Sequence, residues 1–434
     1  MRRILLATHG KAYTEGPVTP AMQVSQTASD FDDLGLDPIL LNAVQGLGYQ
    51  TPTPIQREAI PAVLAGRDLI GTAQTGSGKT AAFLLPVLQG LLKQTPGKTR
   101  VLVLTPTREL AAQIQGVLEG LAKSTRIRGH AVYGGVGMGP QEQALRRGVD
   151  IVVATPGRLL DHMGRGNVNF RSLQVLILDE ADRMFEMGFL PDVRRIVGAL
   201  PKRRQTLLFS ATMPREMEDL ARQVCHDPFR ISVSKLQRPP KTIKQSVYPV
   251  AEHLKGRLLV RLLEQPEVTS ALVFVRTKRR ADRVAKQLGA ERFDVGVIHG
   301  NRSQNQRQNA LAGFRSGHHQ VLVATDVAAR GIDVEGISHV INYDVPHVAT
   351  DYLHRVGRTA RMEALGAAMT MATPEDKDKL RGIERALGGP IERVELQDFN
   401  YKAAPPPRKP QPQGHGRGPG RRPMSRHGRG GGRR

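Results

Sequence analysis

The segment VLILDEAD, residues 175–182, joins four consecutive apolar residues to two adjacent carboxylates, Asp179 and Glu180. A short and fully apolar run is typical of a strand that is buried on both faces, as in a parallel sheet with helices on either side. Two charges directly after such a strand would lie at the carboxyl end of the sheet, where ligands bind in folds of this class. The segment therefore predicts a fold class and also a place for chemistry.

The same alternation of short apolar runs and longer helical patterns recurs along the chain. Companion runs are VLVLTPT at 101, DIVVATP at 150 and TLLFSAT at 206, followed by ALVFVRT at 271, FDVGVIHG at 293, QVLVATDV at 320 and HVINYDVP at 339. Strands that alternate with helices predict parallel sheets covered on both faces. Because the runs form two sets, we expect two doubly wound α/β domains.

Breaks in this pattern set the predicted boundaries. Two adjacent prolines in KLQRPPKTIK fit neither a helix interior nor a sheet ladder, which indicates a linker. After Tyr401 the chain is too rich in Pro, Gly and Arg to bury a core, so we expect a disordered basic tail. The expected segments are a disordered extension (1–29), a first domain (30–234), the linker (235–244), a second domain (245–402) and the tail (403–434).

The charge of the chain favours a polyanionic partner. Its 434 residues contain 63 Lys and Arg against 40 Asp and Glu, a net charge of +23. Basic residues are frequent both in the tail and in the rest of the chain. No apolar run approaches the ~20 residues of a membrane span, and a single cysteine fits a reducing compartment, so we expect a soluble, cytoplasmic protein without membrane contact.

The segment AQTGSGKT, residues 73–80, has the pattern of a phosphate-binding loop between a strand and a helix. Glycine lets backbone N–H groups approach an anion, and the helix N-terminus adds positive dipole. Lys79 would reach the β- and γ-phosphates and the Thr80 hydroxyl would ligate Mg²⁺. The strict pattern begins with glycine, where this chain has Ala73. We therefore predict that a nucleoside triphosphate and Mg²⁺ bind at this loop.

The carboxylates after the apolar strand then have a role at the same edge of the sheet. Asp179 can hold Mg²⁺, directly or through water, and Glu180 can polarise the attacking water. The alternative is that the two charges only begin a solvated loop. Their combination with a phosphate loop favours the catalytic interpretation.

These residues resemble a known family. DEAD at 179, AQTGSGKT at 73, PTREL at 106, TPGR at 155, SAT at 210, ATDVAARGID at 324 and HRVGRTAR at 354 stand in the order and spacing of DEAD-box ATP-dependent RNA helicases. The resemblance covers residues 31–401 and is closest to the bacterial RhlE-like branch. It implies two tandem RecA-like domains and an RNA-dependent ATPase that locally unwinds short duplexes.

The resemblance also implies roles for residues of the nucleotide site. Gln56 would pair with adenine, Phe31 would stack on the base, and Asp333 would bind the ribose. Arg358 and Arg361 would reach the γ-phosphate as arginine fingers, although three arginines on one helix can also form an ordinary solvated face. The expected nucleotide-binding set is Phe31, Gln56, Gly76, Ser77, Gly78, Lys79, Thr80 and Asp333.

Two further sets follow from the same resemblance. Coupling between hydrolysis and domain movement is expected from Asp182, Ser210, Thr212 and His354. Contacts to RNA are expected from Pro106, Thr107, Arg108, Gly135, Thr155, Arg158, Gln304, Arg307 and Thr325. Hydroxyls, glycines and arginines suit contacts to phosphate and 2′-hydroxyl groups that do not depend on base sequence.

The leading hypothesis is an ATP-dependent RNA helicase that serves ribosome assembly or RNA turnover and meets ribosomal precursors or RNA-decay proteins through its tail. A second hypothesis is an RNA clamp or annealing chaperone whose ATP cycle only times residence on RNA. A third, a DNA-translocating motor, predicts stimulation by DNA. Strand displacement on a short duplex separates the first two.

Overall fold

The computed structural model of the protein describes residues 29–73, 76–233, 243–329, 337–359 and 366–405. It contains two seven-stranded sheets, one in a first lobe (residues 29–233) and one in a second lobe (residues 243–405). All of the strand pairs are parallel. The predicted pair of doubly wound α/β units is confirmed.

The first lobe alternates strands and helices from β1 to β7. Its strands are β1 (Leu69–Thr72), β2 (Val101–Leu104), β3 (Gly129–Val132), β4 (Ile151–Ala154), β5 (Val175–Leu178), β6 (Gln205–Ser210) and β7 (Phe229–Ser232). Its helices are α1 (Pro38–Gly46), α2 (Pro54–Leu64), α3 (Lys79–Leu91), α4 (Arg108–Ala122), α5 (Met138–Arg147), α6 (Pro156–Gly164), α7 (Ala181–Glu186), α8 (Leu190–Gly198) and α9 (Arg215–Val224).

The second lobe repeats this alternation. Its strands are β8 (Ile243–Pro249), β9 (Ala271–Val275), β10 (Val295–Ile298), β11 (Val321–Thr325), β12 (His339–Asn342), β13 (Gly366–Ala372) and β14 (Glu392–Arg393). Its helices are α10 (Lys255–Leu263), α11 (Lys278–Ala290), α12 (Gln304–Arg315), α13 (Asp326–Ala329), α14 (Ala349–Val356) and α15 (Lys377–Leu387).

The two sheets have the same strand order. The first is β3-β4-β2-β5-β6-β1-β7 and the second is β10-β11-β9-β12-β13-β8-β14, so each strand of the first lobe has its counterpart seven labels later. Strand β1, which leads into the phosphate loop, therefore corresponds to β8. Strand β5, which leads into Asp179, corresponds to β12. This correspondence allows the two lobes to be compared position by position.

The apolar strands are buried on both faces, as the sequence pattern predicts. Successive residues of β5 alternate between two cores: Leu176 and Leu178 pack on one face of the sheet, and Ile177 packs on the other. Because both faces are covered by helices, apolar residues are favoured at every position of such a strand. Only the residues beyond the strand ends are available for charge.

The structure bears on parts of the predicted segment boundaries. Strand β8 begins at Ile243, inside the predicted linker 235–244. The chain is still packed on the second lobe at Ala403, whose carbonyl oxygen lies 2.8 Å from Nε2 of His253. Residues 1–28, 234–242 and 406–434, which hold most of the predicted extension, linker and tail, lie outside the described residues. The boundaries themselves stay predictions.

Within the described ranges, none of the helices combines the length and the apolarity that crossing a bilayer requires.

Candidate active site and nucleic-acid interface

The phosphate loop lies between β1 and α3, at the carboxyl end of the first sheet. Gly76 and Gly78 have φ values of 83° and 89°, a region that residues with a Cβ rarely adopt. Lys79 is the first residue of α3, is buried, and donates a hydrogen bond from Nζ to the carbonyl oxygen of Ala73 at 2.8 Å. Lys79 is thus held against the end of β1 at the N-terminus of a helix, which is a favourable place for phosphate.

Gln56 contacts this loop directly. Its Nε2 donates to the carbonyl oxygen of Gly78 at 3.1 Å, and its Oε1 accepts from the backbone N–H of Thr53 at 2.8 Å as part of a capping box at the start of α2. A Cβ on Gly78 would lie 2.5 Å from Nε2, so glycine permits this close approach. The Nε2 and the Oε1 atoms of Gln56 can each make one further hydrogen bond, which would allow the amide to pair with adenine.

Phe31, the other residue expected at the base, is 4% exposed. Its ring stacks on Tyr49 with centroids 6.5 Å apart and an interplanar angle of 26°. The aromatic pair holds the start of the first lobe against the core beside α2. The stacking role of Phe31 on adenine stays a prediction.

Asp179 and Glu180 follow β5 and are both buried, 2% and 5% exposed. Burial raises the pKa of the Asp179 carboxyl to about 6, with Lys79 opposing the rise and Glu180 adding to it. Glu180 has a φ of 51°, uncommon for a residue with a side chain, and its Oε2 lies 2.6 Å from Nη1 of Arg183. The strained backbone and the ion pair set the direction of the Glu180 carboxylate.

The donors at this site suit Mg²⁺ when a nucleotide shares it. Thr80 supplies a hydroxyl one residue after Lys79, and Asp179 supplies a buried carboxylate. No cluster of three or more His, Cys, Asp or Glu that could hold a metal occurs in the part of the chain that the structure describes. Mg²⁺ commonly binds through one or two protein oxygens together with substrate phosphates, so these residues fit the ion.

Three of the predicted coupling residues form one hydrogen-bonded group. The carboxylate of Asp182 accepts from the backbone N–H and the hydroxyl of Thr212, both at 2.9 Å. The Ser210 hydroxyl donates to the carbonyl oxygen of Thr212 at 2.7 Å and accepts from the N–H of Asp182 at 3.2 Å. The segment after β6 is thus tied to α7, which begins beside Glu180.

The expected residues of the second lobe are only partly described. His354 lies in α14, and Arg358 follows this helix with 5% of its surface exposed. Asp333 and Arg361 lie outside the described residues. The finger and ribose-binding roles therefore stay predictions.

Arg355 differs from an arginine on a solvated helix face. It is 3% exposed, and its Nε and Nη2 bind the two carboxylate oxygens of Asp326 at 2.6 and 2.7 Å. Its Nη1 donates to Oδ1 of Asn342 at 2.9 Å. Arg355 is a structural residue that joins α14 to α13 and β12, so the solvated-face alternative does not describe this position.

Many of the residues expected to contact RNA line one cleft of about 370 Å³, whose walls come from both lobes. Six of them lie there: Pro106, Thr107, Arg108, Thr155, Arg158 and Arg307. Gly135 has a φ of 83°, and a Cβ on it would lie 1.8 Å from a guanidinium nitrogen of Arg108. Met187 and Phe189 add an apolar wall that the sequence did not predict.

Thr325 and Gln304, two further residues expected to contact RNA, are both buried in the second lobe. Thr325 is the last residue of β11 and is 8% exposed. Gln304 begins α12 and is 3% exposed, with its Nε2 donating to Oε1 of Glu109 at 3.2 Å. The other carboxylate oxygen of Glu109 lies 2.9 Å from Nη2 of Arg307.

Glu109 was not among the sequence-predicted residues. It lies in the first lobe and binds Gln304 and Arg307 in the second, with about a tenth of its own side chain and of the Arg307 side chain exposed. Its position inside PTREL is a signal in the sequence, but its partner is 195 residues away. No local pattern predicts such a contact.

Comparison with known proteins then decides the family. Residues 53–220 match the family described as DEAD/DEAH box helicase, and residues 254–363 match the helicase conserved C-terminal domain. The chain is 40% identical over 370 residues to the DEAD-box ATP-dependent RNA helicase RhpA of Helicobacter pylori, covering 85% of this chain and 75% of that protein. The chain belongs to the DEAD-box ATP-dependent RNA helicases.

Other relatives agree with this membership. The helicase is 46% identical over 363 residues to the ATP-dependent RNA helicase DBP2 of Lodderomyces elongisporus, covering 82% of this chain and 65% of that protein. Its fold is similar to that of S. cerevisiae Dbp5 bound to RNA and ADP BeF3, with a TM-score of 0.78, 31% identity, and coverage of 85% and 96% of the two chains. The RhlE-like branch stays a prediction.

Proposed function

We propose that this helicase hydrolyses ATP between its lobes when RNA occupies the cleft, and that closure of the lobes on one strand opens short duplexes. The observation that carries the proposal is the cleft itself, where residues of both lobes with phosphate-binding chemistry meet. The contact of Glu109 with Gln304 and Arg307 supports closure as the coupled movement, because it joins the lobes beside the same cleft.

The proposed chemistry assigns one task to each group at the phosphate loop. Lys79 binds the phosphate oxygens, and Glu180 accepts the proton of the water that attacks the γ-phosphorus. Thr80 and Asp179 would hold Mg²⁺, which when bound neutralises phosphate charge. Arg358 and Arg361 bring positive charge from the second lobe as the P–O bond to ADP breaks.

The experiment that tests this chemistry is Glu180→Gln. We expect ATP and RNA binding to persist while kcat falls by about 10²–10⁴-fold, because the proton acceptor is lost and the shape of the side chain is kept. ATP turnover with saturating RNA, together with fluorescent-nucleotide binding, measures both quantities. Glu186→Gln, at the exposed end of the same helix α7, is the matched control. RNA-stimulated turnover that survives Glu180→Gln would refute the assigned role.

The proposal includes a preference for adenine set by Gln56. The contact of its Nε2 with Gly78 supports this, because it places the amide against the loop that binds phosphate. We expect ATP to be hydrolysed in strong preference to GTP, and Gln56→Ala to reduce the preference. Equal hydrolysis of the two nucleotides by the unaltered protein would count against a base-reading Gln56.

We further propose that the helicase acts in the cytoplasm in ribosome assembly or RNA turnover, where short structured duplexes have to be opened. Its contacts to RNA are of the type that does not read base sequence, and its charge of +23 suits abundant structured RNA. Ribosomal precursors or RNA-decay proteins are the proposed further partners. Crosslinking followed by sequencing of the bound RNA tests this assignment, and enrichment of neither class would reject it.

The clamp hypothesis is tested through the predicted tail, residues 403–434, which carries nine basic residues and no acidic one and lies outside the described residues from 406 onwards. Unwinding of a short duplex by the full chain and by a chain that ends at Pro405 separates the two functions. We expect the shortened chain to unwind the duplex, but to have a higher RNA requirement, which means a higher RNA concentration for half-maximal activity. ATP-independent annealing without any unwinding would favour the clamp.

A further inference from the structure

Behind Arg158 and the turn that carries Gly134 and Gly135 lies a chain of buried polar side chains. Gln141 in α5 is 4% exposed, His162 in α6 is 0% exposed, and Asn167 in the following loop is 8% exposed. None of these residues belongs to a motif that the sequence analysis used. Polar groups this deeply buried are retained only where their hydrogen bonds are satisfied.

The hydrogen bonds assign one tautomer to His162. Nδ2 of Asn167 lies 3.2 Å from Nδ1 of His162, and an amide nitrogen can only donate, so Nδ1 accepts. Nε2 of His162 then carries the proton and donates to Oε1 of Gln141 at 3.3 Å. Burial and then the charge of Arg158 lower the pKa of His162 below its ordinary value, in agreement with a neutral ring.

Gln141 joins this chain to the cleft. Its Oε1 also accepts from Nη1 of Arg158 at 3.3 Å, and its Nε2 donates to the carbonyl oxygen of Tyr133 at 3.0 Å. Arg158 donates from both Nη atoms to the carbonyl oxygen of Val136, each at 3.2 Å. The network thus ends on the guanidinium of Arg158 and on the backbone at both sides of the glycine pair.

We propose that Gln141, His162 and Asn167 are positioning residues for RNA binding. They hold the guanidinium of Arg158 and the glycine turn, residues 133–137, in the geometry that RNA requires. The inference rests on the proposed function, in which Arg158 and Gly135 contact RNA. A turn with two glycines does not hold its own shape, whereas a satisfied buried network does, and small misplacements of binding groups are costly.

The first test is His162→Leu in the full-length protein. Leucine fills a similar volume but offers neither a donor to Gln141 nor an acceptor to Asn167. We expect the RNA concentration that half-saturates ATPase activity to rise about 10-fold, with kcat at saturating RNA and ATP affinity within twofold of the wild type. A purely structural histidine would lower the melting temperature and leave the RNA requirement unchanged.

Two polar replacements separate the ring nitrogens. His162→Gln can place an amide N–H near the position of Nε2 and should restore most of the RNA affinity. His162→Asn reaches only the position of Nδ1 and should behave like His162→Leu. Equal behaviour of these two variants would overturn the assigned tautomer and with it the positioning role, and this pair decides the matter if the leucine variant does not fold.

His339→Leu is the matched control in the second lobe. His339 is also buried, 7% exposed, and its Nδ1 lies 3.0 Å from the Ser338 hydroxyl. It lines no part of the cleft, so we expect reduced thermal stability and an unchanged RNA requirement. An RNA requirement that rises as much with His339→Leu as with His162→Leu would reject the inference.

Arg158→Ala distinguishes failure of this inference from failure of the proposed function. An unchanged RNA requirement in Arg158→Ala would reject the RNA-binding role of Arg158 itself. An effect of Arg158→Ala without an effect of His162→Leu would reject the positioning network alone. If His162 acts through Arg158, the double variant should be no weaker than Arg158→Ala, and additive losses would contradict this.

Discussion

In the first lobe a lysine begins the helix that follows β1, and in the second lobe a lysine begins the helix that follows β8, the counterpart of β1. Lys79 donates to the carbonyl oxygen of Ala73, and Lys255 donates to the carbonyl oxygen of Tyr343 at 2.9 Å. Both lysines are buried. Each shares its lobe with an aspartate that follows β5 or its counterpart β12: Asp179 in the first lobe and Asp344 in the second. The same framework therefore carries the same pair of charges twice.

The surroundings of the two lysines differ. The connection before Lys79 contains Gly76 and Gly78 with positive φ, whereas residues 250–254 before Lys255 contain no glycine. Lys255 lies 3.5 Å from Glu252, 3.9 Å from Asp344 and 4.0 Å from Asp376.

A backbone N–H and a further cation also contact Asp344. The backbone N–H of Arg276 donates to its Oδ2 at 2.7 Å, and the Arg280 guanidinium pairs with its Oδ1. The second lobe therefore surrounds its lysine with carboxylates at the position that corresponds to the predicted phosphate loop of the first lobe. The difference between the two lobes is therefore that the connection before Lys79 contains glycines with positive φ and forms the predicted phosphate loop, whereas the connection before Lys255 contains no glycine and its lysine lies in a structural ion cluster.

Among the variants that test the comparison of the two lobes, the largest expected effect is the loss of turnover in Lys79→Ala. Removing the cation that is proposed to bind the phosphates should lower kcat by about 10²–10³-fold, measured with saturating ATP and RNA. Lys255→Met is the control, with kcat and ATP affinity within twofold of the wild type. A loss of ATP affinity in Lys255→Met would show that the second cluster binds nucleotide and would break the comparison.

Lys255→Met should instead destabilise the second lobe, by about 3–5 kcal/mol, because it leaves Asp344 and Asp376 buried without their central cation. Hydrogen exchange of the β12 and β13 peptides under increasing denaturant localises this loss. Lys278→Met, at an exposed lysine of the same lobe, should stay within about 0.5 kcal/mol of the wild type. Equal losses in the two variants would contradict a structural cluster.

Asp179→Asn should stabilise the nucleotide-free protein by about 1–3 kcal/mol at pH 7.5, because the raised pKa of Asp179 means that its ionised form is disfavoured in the folded state. A raised folded-state pKa costs stability as pH rises from 3.8 through about 6, so the gain should vanish below pH 4. Thermal unfolding against pH measures it. Asp344→Asn is expected to destabilise the protein instead, because it removes the carboxylate that pairs with Lys255 and Arg280. Stabilisation by both substitutions would contradict the difference between the two lobes.

The smallest expected effect concerns the contact between the lobes. Glu109→Gln weakens a largely buried pair and should raise the half-saturating RNA concentration of the ATPase by about 2–5-fold. Glu119→Gln, on the same helix α4, removes a charge that contacts Gln115 within its own lobe and serves as control. Equal effects of both variants would indicate general charge loss rather than coupling between lobes.

Particular residues show how far the sequence reaches. The positions of Lys79 and Asp179 could be predicted because they depend on neighbours within a few residues, in a glycine-rich loop or directly after an apolar strand, whereas the role of Gln56 was implied only by the family resemblance. The alternation of Leu176, Ile177 and Leu178 between two cores follows from the two-residue period of a strand. Local spacing therefore predicts the fold and the phosphate site.

Other residues could not be found in this way. Lys255 does not lie in a recognisable motif, and its Nζ donates to the carbonyl oxygen of Tyr343, 88 residues later in the chain. His162 and Gln141 are ordinary polar residues of amphipathic helices until α5 and α6 meet behind the glycine turn. Their environments arise from packing between distant segments, which no local pattern encodes.

By itself, the sequence determined the apolar strand runs, the glycines of the phosphate loop and the charges placed after the strands. These follow from backbone geometry and short-range spacing. Only the tertiary structure decided that Glu109 meets Arg307 across the lobes, that Lys255 lies in an internal ion cluster, and that His162 and Arg158 share Gln141 as a hydrogen-bond partner. The physical reason is that burial and charge pairing depend on which surfaces come together, and that is a property of the folded chain.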